Sequence, residues 1–320
     1  MEFGGGMSDV PDRADDAMVA RAHERFAAER KKARKLKKGS GAAPNVIVIG
    51  GLKCGTTSLH HYLNAHPSVE MSRPKELNFF VEELNWELGR DWYFNHFNPE
   101  AKVRGETSPH YTNLPRFKGV PERIRRTLGD NVKLIYVVRN PIERVLSHYV
   151  HNIGGGYDDR PIEEALGYTN SAYVNRSRYF MQLSAYLEFF DRSQIAVVTQ
   201  DDLRDERVDT MNHLFRFLGL EKFNSEEFER QWETGSAKVK GGFRLLDRAV
   251  RLPGLRVIDR NFDRLPERLR WGIEKIVHRP GAGPAAKPEL PAPVEARLRD
   301  AFAPDVEALQ EYLGRDLGWL

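Results

Sequence analysis

The segment Gly50-Gly51-Leu52-Lys53-Cys54-Gly55-Thr56-Thr57-Ser58 concentrates the groups that an anionic ligand needs. Glycines bend the chain so that successive backbone N–H groups face one way, at the positive end of the helix that follows. The hydroxyls of Thr56, Thr57 and Ser58 add donors, and Lys53 adds a cation that can reach the same oxygens. This is the chemistry of a phosphate cradle. The nucleotide triphosphatase loop is G-x-x-x-x-G-K-[ST], with lysine after the last glycine. Here Lys53 comes two residues before Gly55, and Thr56 stands where that loop has lysine. A glycine turn packing strand on helix would account for a bare glycine pair, but not for Lys-x-Gly-Thr-Thr behind an apolar run.

A second anion site is expected at Arg139-Asn140-Pro141, where the apolar run Val132–Val138 ends. A kinase or other Mg²⁺-dependent nucleotide enzyme, the main alternative reading, calls for a carboxylate at that strand end. Arginine there, in the crevice where open α/β sheets bind ligands, points to an anion held without a metal. Ser147 falls eight residues beyond Arg139, about two turns into the next helix.

Together these motifs resemble the nucleotide site of sulfotransferases that use 3′-phosphoadenosine 5′-phosphosulfate (PAPS). Lys53 to Ser58 is similar to the family's 5′-phosphosulfate loop. Arg139-Asn140-Pro141 with Ser147 is similar to its 3′-phosphate motif. The resemblance implies that Lys53, Cys54, Gly55, Thr56, Thr57 and Ser58 hold the 5′ end and Arg139 and Ser147 the 3′-phosphate, with PAP as the product nucleotide. Arg73-Pro74-Lys75-Glu76-Leu77-Asn78-Phe79-Phe80 resembles the K-E-x-x-F-F segment of heparan sulfate N- and 3-O-sulfotransferases, and the resemblance is to the branch that holds these enzymes and bacterial sulfotransferases. In that segment glutamate is the base, which puts the role on Glu76. Phe79 and Phe80 are expected to wall the pocket and raise the carboxyl's pKa. Lys53 is suited to steady the leaving oxygen.

Cytosolic members use histidine instead, which makes His110 in Gly105-Glu106-Thr107-Ser108-Pro109-His110-Tyr111 the rival base. His60, His61, His148 and His151 read as packing or surface residues. The Glu106–Pro109 stretch is similar to the heparan enzymes' E-K-[ST]-P, but Thr107 replaces a lysine that contributes to catalysis. Arg178-Tyr179 with Leu183, Tyr186, Leu187 and Phe190 resembles the family helix R-x-x-Y-x-x-x-L-x-x-W-L-x-x-F in its later residues. Lys240, Gly241 and Arg244 fall where the family places a basic loop over the 3′-phosphate.

The elements that must position these groups follow from periodicity. Val46–Ile49 and Val132–Val138 are continuous apolar runs, the mark of strands buried on both faces of a parallel sheet, and Gln194–Thr199 is a third. Helices are expected over Thr56–Ala65, 119–129, from Pro141, over Ser177–Phe190, Val208–Leu218 and Pro293–Leu313. Residues 14–38, rich in Ala, Arg, Lys and Glu, read as an exposed helix. Strand–helix alternation gives an α/β fold: one domain with a central parallel sheet flanked by helices and a P-loop-like strand–loop–helix. We set its bounds at 44–320, after a leader of 1–43 whose first six residues read as an appended tag. Residues 246–292 form a possible acceptor-pocket or cap insertion, ending in a Pro/Gly/Ala linker.

A single cysteine, Cys54, leaves no internal disulfide, which suits a reducing compartment. No run approaches the roughly 18 apolar residues of a membrane span, and no secretory signal is apparent. The expectation is a cytoplasmic enzyme without metal, acting on a small-molecule or glycan acceptor and not on nucleic acid. The basic run Arg30–Lys38 reads as a solvated helix end.

Overall fold

The computed structural model describes residues 41–229 and 288–320, with positions 16, 19, 20, 23, 24, 26 and 27 of the leader. The strands are β1 (Val46–Gly50), β2 (Val69–Met71), β3 (Val103–Thr107), β4 (Lys133–Val138) and β5 (Ile195–Thr199). The helices are α1 (Thr56–Asn64), α2 (Gly89–Phe94), α3 (Val120–Leu128), α4 (Pro141–Gly155), α5 (Ile162–Ala165), α6 (Ala172–Asn175), α7 (Tyr179–Leu187), α8 (Gln200–Asp205), α9 (Arg207–Phe217) and α10 (Ala292–Leu313).

The five strands form one sheet in the order β2-β3-β1-β4-β5, and each pairing is parallel. β1 and β4 lie inside the sheet, which is why they are apolar throughout: Val46 to Ile49 and Leu134 to Val138 are all at 0% exposure. After β1 the chain builds β2 and β3 on one side of it, then crosses to β4 on the other. That reversal opens a crevice at the carboxyl ends of β1 and β4, where open α/β sheets take ligands. Both expected anion sites fall there.

Sequence reading missed β2 and β3. β2 has three residues, and β3, Val-Arg-Gly-Glu-Thr, has Arg, Gly and Glu where an interior strand is usually apolar. β3 nonetheless sits between β2 and β1, with Glu106 and Thr107 fully buried.

The core cluster runs from Phe26 to Trp319. Phe26 is buried with its ring 6.3 Å from that of Trp92, whereas leader positions 16, 20, 24 and 27 are exposed. α10 packs on α7, where Asp305 accepts the N–H groups of Phe180 (3.0 Å) and Met181 (2.8 Å) in the first turn. Among the described residues no helix is long and apolar enough to cross a membrane.

Candidate active site

Backbone geometry builds the first anion site. Gly55 caps α1 at φ 96°, a left-handed conformation open to glycine, and no side chain caps the helix. Gly50 is required by crowding, since a Cβ there would stand 2.1 Å from Thr112 Oγ1. Lys53 also turns left-handed, at φ 67°. Among the described residues, the N–H groups of Lys53, Gly55, Thr56 and Thr57 have no backbone or side-chain acceptor. Open donors at the start of a helix are what an anion can accept from.

Cys54 departs from the expectation that the whole loop faces the ligand. Its N–H donates to Gly51 O at 3.2 Å, and its buried thiol lies 3.6 Å from Tyr179 OH. Both polar groups of Cys54 that could donate are thus engaged within the protein.

Positive charge surrounds this loop. Burial, then Arg139, Arg144 and Lys75, pull the Lys53 ammonium below its usual range. Arg139 follows β4, and its Nη1 lies 3.4 Å from the Lys53 carbonyl, while Nη2 and Nε grip Glu143 at 2.7 and 3.1 Å. Asn140 caps α4 by accepting from Ile142 N at 3.0 Å and Glu143 N at 3.3 Å, and donates to Trp319 O at 3.1 Å. Ser147 is half-buried on α4.

Sequence reading passed over two buried arginines. Arg144 is fully buried, donating to Ser177 Oγ and Tyr173 O, each at 2.6 Å, and lying 3.2 Å from His148 Nδ1. Its Nη1 has no acceptor among the described residues, and burial depresses its pKa. Arg176 is likewise buried, bonded to Asn113 Oδ1 at 2.7 Å, with Nη2 3.4 Å from His110 Nδ1. A signal for Arg176 did exist: the R-x-x-Y spacing before Tyr179 selects Arg176, not Arg178.

The 73–80 loop brings Glu76 to the cradle. Lys75 Nζ lies 2.8 Å from Glu76 Oε1 and 3.5 Å from Thr56 Oγ1, the first residue of α1. The backbone of this loop is pinned to the end of β3. Thr107 N donates to Lys75 O at 3.3 Å, Leu77 N to Glu106 Oε2 at 3.3 Å and Asn78 N to Ser108 Oγ at 3.0 Å. Phe80 N lies 3.3 Å from Tyr111 OH. Phe79 and Phe80 do not wall an open pocket; both are buried, Phe79 stacking on Tyr93 at 4.3 Å. They anchor the loop from beneath.

The histidines divide by burial. His110, the rival base, is buried with Nδ1 3.4 Å from Arg176 Nη2. His60 is buried with Nδ1 3.0 Å from Thr107 Oγ1; burial, then Lys75, take its pKa down to about 3. His148 is held far below 6.5 by burial and Arg144. Burial, then Lys53, lower His151 to about 4, with Glu76 opposing, so His151 lies within the field of both. Lys240, Gly241 and Arg244 lie outside the described residues, as do residues 246–287 of the expected insertion. No cluster of metal-binding side chains occurs among the described residues.

A family model described as "Sulfotransferase domain" matches residues 43–248. The chain is 27% identical over 254 residues to bifunctional heparan sulfate N-deacetylase/N-sulfotransferase 1 of Caenorhabditis elegans, covering 73% of this chain and 28% of that protein. It is 30% identical over 190 residues to human heparan sulfate glucosamine 3-O-sulfotransferase 5, covering 55% and 54% of the two chains. It thus spans roughly a quarter to a half of these curated relatives. Among solved structures, a sulfotransferase from Alicyclobacillus acidocaldarius superposes with a TM-score of 0.59 at 21% identity, over 86% of this chain and 98% of that one.

Proposed function

Because this chain belongs to the sulfotransferase domain family, we propose that it moves a sulfuryl group from PAPS to a hydroxyl or amine of an acceptor. The donor supplies an activated sulfur–oxygen bond to its 5′-phosphate. Everything else is the work of this chain. The N–H groups at the start of α1, with Lys53, hold the 5′ end, and Arg139 and Ser147 hold the 3′-phosphate. Glu76 takes the acceptor proton as the acceptor atom bonds to sulfur. The old sulfur–oxygen bond breaks with its electron pair left on the 5′-phosphate, and Lys53 steadies that charge. Positioning and electrostatics carry such a transfer, as in phosphoryl transfer.

One observation carries this reading. Arg139 Nη1 lies 3.4 Å from the Lys53 carbonyl, so two distant motifs meet, and the Arg139 charge helps depress the Lys53 ammonium's pKa. A doubly phosphorylated adenosine has anions at both ends to match them. Arg139, Arg144 and Lys75 all act against the Lys53 ammonium, a concentration of positive charge that an anionic ligand would relieve. The heparan sulfate sulfotransferases among the relatives make a glycan the first acceptor to try.

The test is thermal stabilisation by PAP without metal against ATP with Mg²⁺. A hundredfold excess of PAP over its Kd should stabilise the fold by about 2.7 kcal/mol. Equal or greater stabilisation by MgATP would favour the kinase reading. Release of PAP from PAPS in the presence of an acceptor mixture then reads the reaction, and Glu76→Gln should abolish it while PAP still binds.

A further inference from the structure

We propose that Lys75 is the cation that meets the transferring sulfuryl group and holds Glu76 against it. The proposal rests on the sulfotransferase reading and adds a residue to it. At the end of β3, Thr107 is buried with its hydroxyl 3.0 Å from His60 Nδ1, so it brings no charge to the cradle. Lys75 brings one. Thr107 N donates to Lys75 O at 3.3 Å, so positions 75 and 107 are backbone neighbours. From there Lys75 Nζ reaches to within 3.5 Å of Thr56 Oγ1, at the mouth of the cradle.

The ammonium has three donors. Glu76 Oε1 takes one at 2.8 Å, and the contact to Thr56 is long enough to yield to a stronger acceptor. The side chain is 19% exposed, so it is drawn in towards the loop instead of extending into solvent. Its charge is felt by Lys53 and by His60, which flank it. A chance surface pair would explain the contact with Glu76, but not the approach to the first residue of α1.

The sulfuryl oxygens are present in PAPS and absent from PAP, so the two nucleotides separate this role from simple phosphate binding. Equilibrium binding of each, without acceptor, is measured for the wild-type chain, Lys75→Met and Lys75→Arg. Loss of a charge-assisted contact should weaken PAPS roughly tenfold to a hundredfold in Lys75→Met. PAP should weaken less than about threefold, which also reports that the variant is folded. Lys75→Arg should recover most of the PAPS affinity. Equal loss for both nucleotides, or loss for neither, overturns the proposal. Failure of the wild-type chain to bind PAP at all would instead strike the sulfotransferase reading itself.

Discussion

The carboxylate of Glu106 accepts the backbone N–H of Leu77 at 3.3 Å, one residue beyond Glu76. Ser108 Oγ (2.6 Å), Tyr93 OH (2.7 Å) and Tyr111 OH (2.7 Å) donate to the same group, which is fully buried and has no cation among these partners. Burial raises its pKa, and those hydrogen bonds pull the other way. Glu106→Gln would replace one acceptor oxygen with an NH₂ group facing donors. The expected cost is about 1–3 kcal/mol, with a further fall in kcat because the Glu76 loop loses its pin. Chemical denaturation and turnover on one variant check both. A stable variant with unchanged kcat would show that Glu106 does not position Glu76.

Lys53 and Arg139 should prove energetically coupled in nucleotide binding. Their motifs are 86 residues apart, yet Arg139 Nη1 reaches the Lys53 carbonyl. Lys53→Ala and Arg139→Ala are each expected to weaken PAP by roughly tenfold to a hundredfold, the loss of one charge-assisted contact. Arg139→Ala should hardly affect a nucleotide that lacks the 3′-phosphate. Residues in one network depart from additivity by about 0.5 kcal/mol or more. Strict additivity in calorimetric titrations would deny that the two sites touch.

Cys54 should be chemically silent in the native chain. Its thiol is buried against Tyr179, and burial raises its pKa, so thiolate is scarce and inaccessible. As the sole cysteine, it gives a clean readout of opening. Labelling by a thiol reagent is expected to follow unfolding and to slow further when PAP is bound. Rapid stoichiometric labelling without denaturant would place Cys54 on the surface of the loop and contradict the packing described here.

What was legible in the sequence was legible for physical reasons. β1 and β4 lie inside a parallel sheet, so burial on both faces wrote them as unbroken apolar runs. The loop after β1 was readable because Gly55 and the hydroxyls that follow it have few other uses in that order. β3 escaped because it carries Glu106 and Thr107, and polar side chains that serve a site erase the apolar mark of an interior strand. Phe79 and Phe80 were seen but misplaced: a sequence shows that two rings are apolar, not which side of a loop they occupy. Arg144 and Arg176 look like surface arginines in one dimension. Their burial depends on acceptors at Tyr173, Ser177 and Asn113, contributed by segments far away in the chain.

The buried histidines should cost the fold stability in acid. His60 falls from 6.5 to about 3 in the fold because burial, then Lys75, oppose its charged form. His151 falls to about 4 by burial and Lys53, and burial and Arg144 hold His148 well below its usual value. A group whose folded pKa is depressed binds protons more readily in the unfolded chain. Its stabilising effect is therefore complete above pH 6.5 and is lost as pH falls towards the folded value. For His60 the loss approaches about 1.4 kcal/mol per pH unit between 6.5 and 3. His60→Gln can still hydrogen-bond Thr107 but does not titrate. Its stability relative to wild type, measured by urea denaturation at several pH values, should therefore improve steadily from pH 6.5 down to pH 4. Carboxylates common to both chains cancel in that difference. A difference that stays flat over this range would mean that His60 is protonated in the native chain, next to Lys75 and against the burial seen here.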